Sequence, residues 1–445
     1  MQVTVNRQVL RQVLGAIPVT GTAPASSTSG DLPEELPPAV QLQVTDAQRL
    51  RIRYARAPFR VEAELTATAD GTGTADLNLI PLRSCITHTD AADITIMQLP
   101  RGYHIHLGDI TVALSNRELP AYPDIKAPSA DLGCIEVDAA ALRRALTHVS
   151  CVAKDTVNEA SRHRRILLSA GKDHLVLAAT DGHRIHSAVL DCDTQPDIPV
   201  TEFHLVVAAG LLSAIKNLGV DTVRIRYPRL SAPAGYLLFE LNNNPIQFTL
   251  VAEADSSTPT LPDLWGRFLR HLEQTPSPNR QVIVPVEVLR TTIATLNATC
   301  YSQWKRSQDI SRSQPVLMLF DADSLTVMGA SLPGGEVRFL RRLPSEPVPH
   351  RDPSASSVHV TVDARYLQAA LQSADTAYYV RLGLPTENPH PLLVDPCLQD
   401  GTPIRMYRHA VIMPFAPSTE IATRLMSVVE TMMGDESAKP DAAPY

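Results

Sequence analysis

The sequence predicts an α+β protein made of three similar domains, each with two short helices packed on antiparallel sheets. Its 445 residues exceed what one hydrophobic core usually organises, which is about 250 to 300 residues. A strand-then-helix pattern occurs three times, with starts about 140 residues apart. A second such pattern follows each first one about 70 residues later, so each third is a doubled unit.

The first pattern opens each predicted domain. It is VTVNRQVLRQVLGAI at Val3–Ile17, and similar segments occur at Ile135–Ala153 and Val282–Thr299. A short alternating strand leads in each case into apolar residues at i, i+3, i+4 and i+7, the spacing of an amphipathic helix.

The second pattern falls at Ala75–Thr89, Phe203–Gly219 and Val358–Ala374. Alternating segments such as Tyr236–Ala254 lie between the helices and have turn residues at their centres, which predicts antiparallel hairpins. Strands therefore outnumber helices in every third of the chain.

Domain boundaries are predicted where Pro, Ser and Asn concentrate, near residues 126–131 and 274–279. The predicted domains are residues 1–128, 129–276 and 277–417. Residues 20–38 and 344–357 have the composition of loops. Residues 418–445 are predicted to be an extension, with a short helix carrying Ile421, Leu425 and Met432 and then a flexible tail.

Composition excludes several classes of protein. The chain is 44% hydrophobic and 20% charged, and it lacks an apolar run that could cross a bilayer or serve as a signal peptide, so a cytoplasmic location is predicted. Six cysteines without a C-x-x-C spacing predict neither a disulfide framework nor a zinc ribbon. The formal charge of −7 argues against a wholly basic surface but permits a basic stripe on an acidic body.

The stretch LVLAATDGHRIHS, Leu175–Ser187, groups an acid, two histidines and an arginine. A hydrolytic triad of Asp181, His183 and Ser187 would need a nucleophile on a strained turn, and the chain has no G-x-S-x-G. His183 with His186, and His104 with His106, are pairs without companions, which is a weak metal signal. No P-loop or G-x-G-x-x-G occurs. A hairpin corner at Asp181-Gly182 remains, and no cofactor is predicted.

These motifs resemble the bacterial DNA polymerase III beta subunit, the DNA sliding clamp. ATDGHRIHS is similar to the A-T-D-G-H-R-L signature of that family, and HAVIMPF at residues 409–415 is similar to its terminal V-V-M-P-M. ITVALSNRELPAYPDI at 110–125 and FTLVAEADSSTPTLPDL at 248–264 resemble the segments that close domains 1 and 2. The resemblance covers residues 1 to about 417, including the threefold repeat.

The resemblance implies a function without catalysis. Two three-domain crescents would join head to tail as a homodimer and close a ring around duplex DNA, acting as a processivity factor in DNA replication. The implied partners are DNA polymerase subunits, the clamp loader and other proteins that carry a clamp-binding motif; no membrane is implied. A sliding ring must attract phosphates without gripping bases, which asks for a moderate number of cations on the inner helices.

Site residues follow from this comparison. The implied DNA-facing cations are Arg7, Arg11, Arg83, Arg143, Arg144, Lys154, Lys216, Arg290, Lys305, Arg306 and Arg365. The implied pocket for client peptides comprises Thr180, Gly182, His183, Arg184, Ile185, Pro262, Val411, Met413, Pro414 and Phe415. Such apolar walls suit a peptide with alternating polar and apolar residues.

The chain departs from the family pattern at several positions. His163 stands where an apolar pocket residue is usual, Phe415 replaces a Met, and Ala208-Ala209 replaces an Arg-Lys pair. The extension after residue 417 is also unusual, and we hypothesise that it packs beside the pocket. Two alternatives therefore stay open: a clamp-derived scaffold or specialised paralogue that does not serve the main replicase, and an enzyme that uses Asp181 and His183.

Overall fold

The computed structural model describes residues 1–18, 38–56, 59–100, 102–115, 132–154, 166–170, 173–194, 201–205, 208–228, 234–255, 276–301, 314–330, 338–352, 357–372, 374, 379–385, 391–404 and 410–414. The chain divides into two compact units. Unit 1 comprises Met1–Ala179 and Val189–Thr258, and unit 2 comprises Thr180–Ala188 and Pro259–Tyr445. The division into three domains stays a prediction.

Helices and strands follow the predicted repeat. The first third contains β1 (Gln2–Asn6), α1 (Arg7–Ala16), β2 (Ala39–Asp46), β3 (Arg49–Arg56), β4 (Phe59–Thr66), β5 (Thr68–Asp70), β6 (Gly73–Asn78), α2 (Leu79–Thr87), β7 (Asp93–Leu99), β8 (Gly102–Leu107) and β9 (Ile110–Leu114). The second contains β10 (Leu132–Asp138), α3 (Ala139–Lys154), β11 (Ile166–Ala170), β12 (His174–Thr180), β13 (Arg184–Asp191), β14 (Asp193–Thr194), β15 (Thr201–Leu205), α4 (Ala208–Leu218), β16 (Thr222–Pro228), β17 (Ala234–Asn243) and β18 (Ile246–Asp255).

The last third contains β19 (Gln281–Pro285), α5 (Val286–Cys300), β20 (Pro315–Phe320), β21 (Ser324–Ala330), β22 (Arg338–Pro344), β23 (Val358–Asp363), α6 (Ala364–Gln372), β24 (Tyr379–Gly383), β25 (Leu392–Cys397) and β26 (Ala410–Ile412). In five of the six predicted strand-then-helix segments the helix begins at the residue after the strand, and residues 206–207 stand between β15 and α4. The predicted α+β class, with two helices per repeat, is confirmed.

The same two-sheet arrangement recurs in the first and last thirds. Strands β1, β7, β8 and β9, with the short β5 beside β1, form one antiparallel sheet, and β6, β2, β3 and β4 lie side by side in another. Their counterparts are β19-β24-β25-β26 and β23-β20-β21-β22. The alternating text predicted this because residues i and i+2 of a strand line the same face.

Neighbouring repeats share strand edges. In unit 1, β4 pairs with β18 over residues 59–64 and 247–252. In unit 2, β26 pairs with the start of β13, with Ile185 opposite Val411. In both cases a strand of one repeat pairs with the last strand of the next repeat: β4 with β18, and β13 with β26.

Short polar side chains begin four of the helices. The Oδ1 atom of Asn6 accepts hydrogen bonds from the backbone N–H groups of Gln8 and Val9, and Asn78, Asp138 and Asp363 accept similar bonds in the first turns of α2, α3 and α6. Such N-caps satisfy amide groups that have no partner within the helix, and each typically stabilises a helix by about 1 kcal/mol.

The helices of unit 1 form a layer in the order α2, α1, α4, α3, and α5 packs on α6 in unit 2. At the contact of α1 with α4, the carbonyl of Gly15 accepts hydrogen bonds from Ser213 Oγ at 3.1 Å and Asn217 Nδ2 at 3.0 Å. A Cβ atom at residue 15 would lie 2.9 Å from Asn217 Oδ1. Glycine therefore allows the close approach of these helices.

Helices α5 and α6 bury one apolar face each in the core of unit 2. Leu289, Ile293 and Leu296 of α5 lie in one cluster with Leu367 and Leu371 of α6, and all are inaccessible to solvent. Burying side chains of this size contributes about 1.5–3 kcal/mol each. The positive side chains are left on the other faces of the helices.

Candidate functional site

The turn between β12 and β13 is built by its own side chains. Asp181 Oδ1 accepts the backbone N–H groups of His183 and Arg184, both at 3.0 Å. Thr180 Oγ1 donates to the Arg184 carbonyl at 2.8 Å and accepts from Gly182 N–H at 3.1 Å. Gly182 has φ +88°, a conformation that glycine adopts without strain. The hairpin corner predicted from Asp-Gly is confirmed.

Arg184 is buried inside this turn. Its side chain is 1% exposed and its Nε lies 2.9 Å from Asp181 Oδ2, whose own side chain is 6% exposed. The guanidinium carbon also lies 4.4 Å from the centre of the Tyr366 ring, a cation–π arrangement. Both carboxylate oxygens of Asp181 therefore hold the turn, which is the work of a structural residue.

Tyr366, at the start of α6, is the platform against which this turn packs. The rings of Tyr366 and His183 stack with centroids 6.4 Å apart and planes 16° from parallel. Burial, followed by the negative charges of Asp181 and Asp363, raises the pKa of the Tyr366 hydroxyl. His183 is exposed while Tyr366 is half-buried. The stacked pair therefore extends from the interior of unit 2 to its surface.

The last strand completes the site. Met413 N–H donates to the His183 carbonyl at 2.8 Å, which continues the pairing of β26 with β13. Ile185, Val411 and Leu393 form a buried cluster beneath, whereas Met413 and Pro414 are partly exposed. The structure thus brings together the predicted residues from Thr180 to Ile185 and from Val411 to Pro414. Pro262, Phe415 and His163 lie outside the described residues.

Arg365 lies beside this cluster. Its Nε and Nη2 atoms donate to the two oxygens of Asp363 at 3.0 and 2.7 Å, and its guanidinium carbon is 6.0 Å from the Tyr366 ring centre. Sequence reasoning missed Tyr366 and Asp363. The helix N-cap pattern Asp363-Ala364-Arg365 was the available signal for Asp363, whereas no local pattern distinguishes Tyr366.

Some of the predicted DNA-facing cations are exposed, and others are bonded to neighbouring groups of the protein. Arg11, Arg143, Arg144 and Lys216 are exposed on unit 1 helices. Arg7 lies 3.9 Å from Asp90. The side chain of Lys154, and the whole of Lys305 and Arg306, lie outside the described residues.

Arg83 and Arg290 bind helix ends. Arg83 Nη2 donates to the carbonyls of Leu14 and Ile17, at the end of α1, and burial lowers the pKa of its guanidinium. Arg290 Nη2 donates to the Leu371 carbonyl in the last turn of α6 at 3.2 Å, and its Nη1 is 3.3 Å from Glu287. A cation at a helix C-terminus satisfies carbonyls that lack partners and opposes the negative end of the helix dipole.

The four helices described in unit 1 contain no Asp or Glu. They are 10, 9, 16 and 11 residues long, in a chain with 47 acidic residues among 445. Acidic side chains normally favour the first turn of a helix, so their absence from all four is a compositional bias. In α3, Leu142 and Leu146 face the core while Arg143 and Arg144 are exposed. The outer face of this layer is a basic surface.

The described residues contain no candidate metal cluster and no candidate membrane-spanning helix. These residues contain no group of three or more His, Cys, Asp or Glu side chains that could hold a metal ion. The His104 and His106 rings meet edge to face at 6.3 Å, and His106 Nδ1 bonds Thr111 Oγ1 at 2.9 Å. Within the same ranges, no helix combines the length and apolar character needed to cross a bilayer.

Solved structures provide the comparison that decides the fold. A DNA polymerase III beta subunit from Thermotoga maritima matches 94% of this chain with 100% of its own, at TM-score 0.71 and 14% identity. A DNA polymerase III beta subunit from Pseudomonas aeruginosa matches 94% with 100% of its own, at TM-score 0.70 and 17% identity.

The chain has the sliding-clamp fold. A DNA polymerase sliding clamp from Bacillus subtilis matches equally well, with TM-score 0.70, 13% identity, and coverage of 94% and 99%. No protein-family model matches the chain, and no curated protein matches it in sequence. The sliding-clamp fold is therefore shared with proteins that are only 13–17% identical to this one.

Proposed function

We propose that this protein is a DNA sliding clamp, a cytoplasmic processivity factor that catalyses nothing and tethers polymerases to duplex DNA. The observation that carries the proposal is the sliding-clamp fold, which extends over the whole length of the matched structures. Proteins that share a fold can differ in function, so the residues of the DNA-facing and peptide sites must support this role independently.

The basic surface of unit 1 supports a DNA partner. Its helices present Arg11, Arg143, Arg144 and Lys216 without a single carboxylate on α1 to α4. Phosphate contacts from such side chains attract any DNA sequence and let the protein move along it. The acidic residues lie elsewhere, which reconciles a net charge of −7 with a polyanionic partner.

Two strand edges support ring closure. Among the described strands, β9 ends the first sheet and β22 ends the last one. By the repeat, they correspond to β18 and β4, which pair with each other in unit 1. We therefore assign β22 of one copy to β9 of a second copy, a head-to-tail contact that, made twice, closes a ring. Ile110 on β9 is 53% exposed, as expected of an edge that another chain covers.

The Tyr366–His183 site supports peptide binding. Exposed His183, half-buried Tyr366 and partly exposed Met413 and Pro414 offer apolar and aromatic contacts with backbone groups nearby. Surfaces of this kind accept short peptides with alternating polar and apolar side chains. The clients would be polymerase subunits, the clamp loader and other proteins that share a clamp-binding motif.

Solution mass and topology-dependent retention test the ring. The chain mass is 48.4 kDa, so the protein should behave as a particle of twice that mass. After loading, it should remain on circular duplex DNA and slide off the same DNA once it is linearised. Equal retention on both forms would contradict encirclement, and a monomer at micromolar concentration would contradict the pairing of β22 with β9.

A tyrosine substitution tests the peptide site. Tyr366→Ala should weaken binding of a fluorescent panel of short alternating polar and apolar peptides at least tenfold, because the platform of His183 and Arg184 is lost. Tyr379→Ala, at another partly exposed tyrosine of unit 2, is the matched control and should leave affinity unchanged. Equal losses in the two variants would contradict this location of the pocket.

We also propose that residues 418–445 limit access to this pocket. They lie outside the described residues, but only residues 415–417 separate them in sequence from Pro414, which is part of the site. Deleting residues 418–445 should therefore tighten binding of the same peptides. Unchanged affinity would reject the idea.

A specialised paralogue or clamp-derived scaffold is the second candidate. Ala208-Ala209 at the start of α4 stands where the sliding-clamp pattern has an Arg-Lys pair, so this helix lacks two cations that the resemblance implies. A scaffold would bind peptides yet fail to remain on circular DNA, which separates it from a replicative clamp in the retention assay.

A further inference from the structure

The cations predicted to face DNA differ in what already binds them. Arg83, Arg290 and Arg365 each make hydrogen bonds to a carbonyl or carboxylate of the same unit. Arg11, Arg143 and Arg144 have no side-chain ion pair or hydrogen bond within the described part of the chain, and their side chains are exposed. Lys216 on α4 is likewise exposed and has no side-chain ion pair or hydrogen bond within that part of the chain.

The engaged arginines are poor phosphate ligands for a physical reason. Arg83 is half-buried and holds the end of α1 through two carbonyls. Arg365 places two N–H groups on Asp363, whose side chain is 4% exposed. Turning Arg83 toward DNA would remove the donor of two carbonyls at the end of α1, and turning Arg365 would remove two of the hydrogen bonds that buried Asp363 accepts. A phosphate contact at the surface would not recover that loss.

The unengaged cations share one surface. They lie on α1, α3 and α4, which are contiguous in the unit 1 layer, and the four helices of that layer contain no carboxylate. In α5 of unit 2, by contrast, Glu287 stands 3.3 Å from Arg290. On the described helices, positive charge available to a polyanion is therefore concentrated in unit 1.

We infer that Arg11, Arg143, Arg144 and Lys216 make the phosphate contacts of this protein, whereas Arg83, Arg290 and Arg365 serve the fold. The inference rests on the proposed function, because it assigns the residues that carry DNA binding. It divides a set of cations that look alike in sequence into two classes with different measurable roles.

Two triple variants with equal loss of charge test the division. The contact triple is Arg11→Gln, Arg143→Gln and Arg144→Gln, and the structural triple is Arg83→Gln, Arg290→Gln and Arg365→Gln. Binding to a fluorescent blunt duplex of ordinary mixed sequence is measured by anisotropy over a KCl series, and thermal unfolding is followed by circular dichroism. Each phosphate contact contributes about −0.9 to the slope of log affinity against log salt.

The contact triple should reduce the magnitude of that slope by up to about 2.7 per subunit. Between 50 and 200 mM KCl, the affinity of the wild type should therefore fall about 40-fold more than the affinity of the contact triple. Its unfolding temperature should match the wild type. The structural triple should keep the wild-type slope and unfold at a lower temperature. If it does not fold, Arg365→Gln alone, at a side chain 37% exposed, is measured in its place.

The outcomes separate the two proposals. If the structural triple, or Arg365→Gln alone, reduces the salt slope as much per charge as the contact triple, the division is wrong while DNA binding stands. If the contact triple leaves the slope unchanged, the division is equally wrong. If the wild-type protein itself shows no salt-dependent affinity for duplex DNA, the proposed clamp function fails together with the inference.

Discussion

Removing the Asp181 carboxylate should open the turn that supports the candidate peptide site. Asp181→Ala deletes two hydrogen bonds to backbone N–H groups and the carboxylate that pairs with the buried Arg184 guanidinium. The ion pair is 2.9 Å long, with side chains 1% and 6% exposed. At an effective dielectric constant of about 20, two unit charges about 4 Å apart attract by about 4 kcal/mol. Removing one partner of a buried pair costs about 3–5 kcal/mol, because the other charge stays buried.

The double variant Asp181→Ala with Arg184→Met isolates that charge effect. The substituted methionine would keep a long apolar side chain against Tyr366, since thioethers pack well on aromatic rings. We expect the double variant to be less destabilised than Asp181→Ala alone, because the buried positive charge is removed together with the carboxylate. Only the two lost backbone hydrogen bonds, about 0.5–1.5 kcal/mol each, should persist.

Native-state hydrogen exchange measures this locally. The amides that join β13 to β26, from Arg184 to His186 and from Ala410 to Ile412, report the free energy of opening this part of unit 2. Local opening is the appropriate quantity because a chain with two compact units need not unfold in one step. Losses that simply add in the double variant would refute the account of a buried, coupled pair.

Three further predictions concern other parts of the chain. Gly15→Val should destabilise unit 1 by about 1–3 kcal/mol in urea unfolding, because its side chain would collide with Asn217; an unchanged midpoint would contradict the close helix contact. Asn6→Ala should cost about 1 kcal/mol by the same measurement through loss of the α1 N-cap, whereas Asn6→Asp should cost far less. Burial raises the pKa of the Cys397 thiol to about 12, so it stays protonated and unreactive at pH 8; alkylation as fast as at partly exposed Cys85, followed by mass spectrometry, would contradict this.

Much of the fold could be predicted because its local signals agree. In α1, the Asn6 cap, the apolar stripe through Leu10, Val13 and Leu14, and the preceding alternating strand all indicate one boundary, and the structure has the helix at Arg7–Ala16. The repeat made each such segment predictable three times over. Strand partners between repeats, such as β4 with β18, could not be predicted, because edge pairing depends on contacts far apart in sequence.

The candidate site was predictable only in part, for a similar reason. The Asp181-Gly182 turn carries its own signal, but Tyr366 lies far along the chain in an ordinary amphipathic helix. Nor does sequence distinguish Arg11 from Arg83. Both stand on short helices, yet only the latter reaches the carbonyls at the end of α1. The environment of a cation is a property of packing, and no periodicity records it.

The nine residues Thr180–Ala188 belong to unit 2 although the sequence places them in the middle of unit 1. A fragment expressed from residue 259 onward would therefore lack the start of β13. The edge of β26 would be left unpaired and prone to aggregation. A synthetic peptide of residues 180–188 should pair with this edge and complement the fragment. Engineering of this protein must accordingly respect a border that the order of the residues does not reveal.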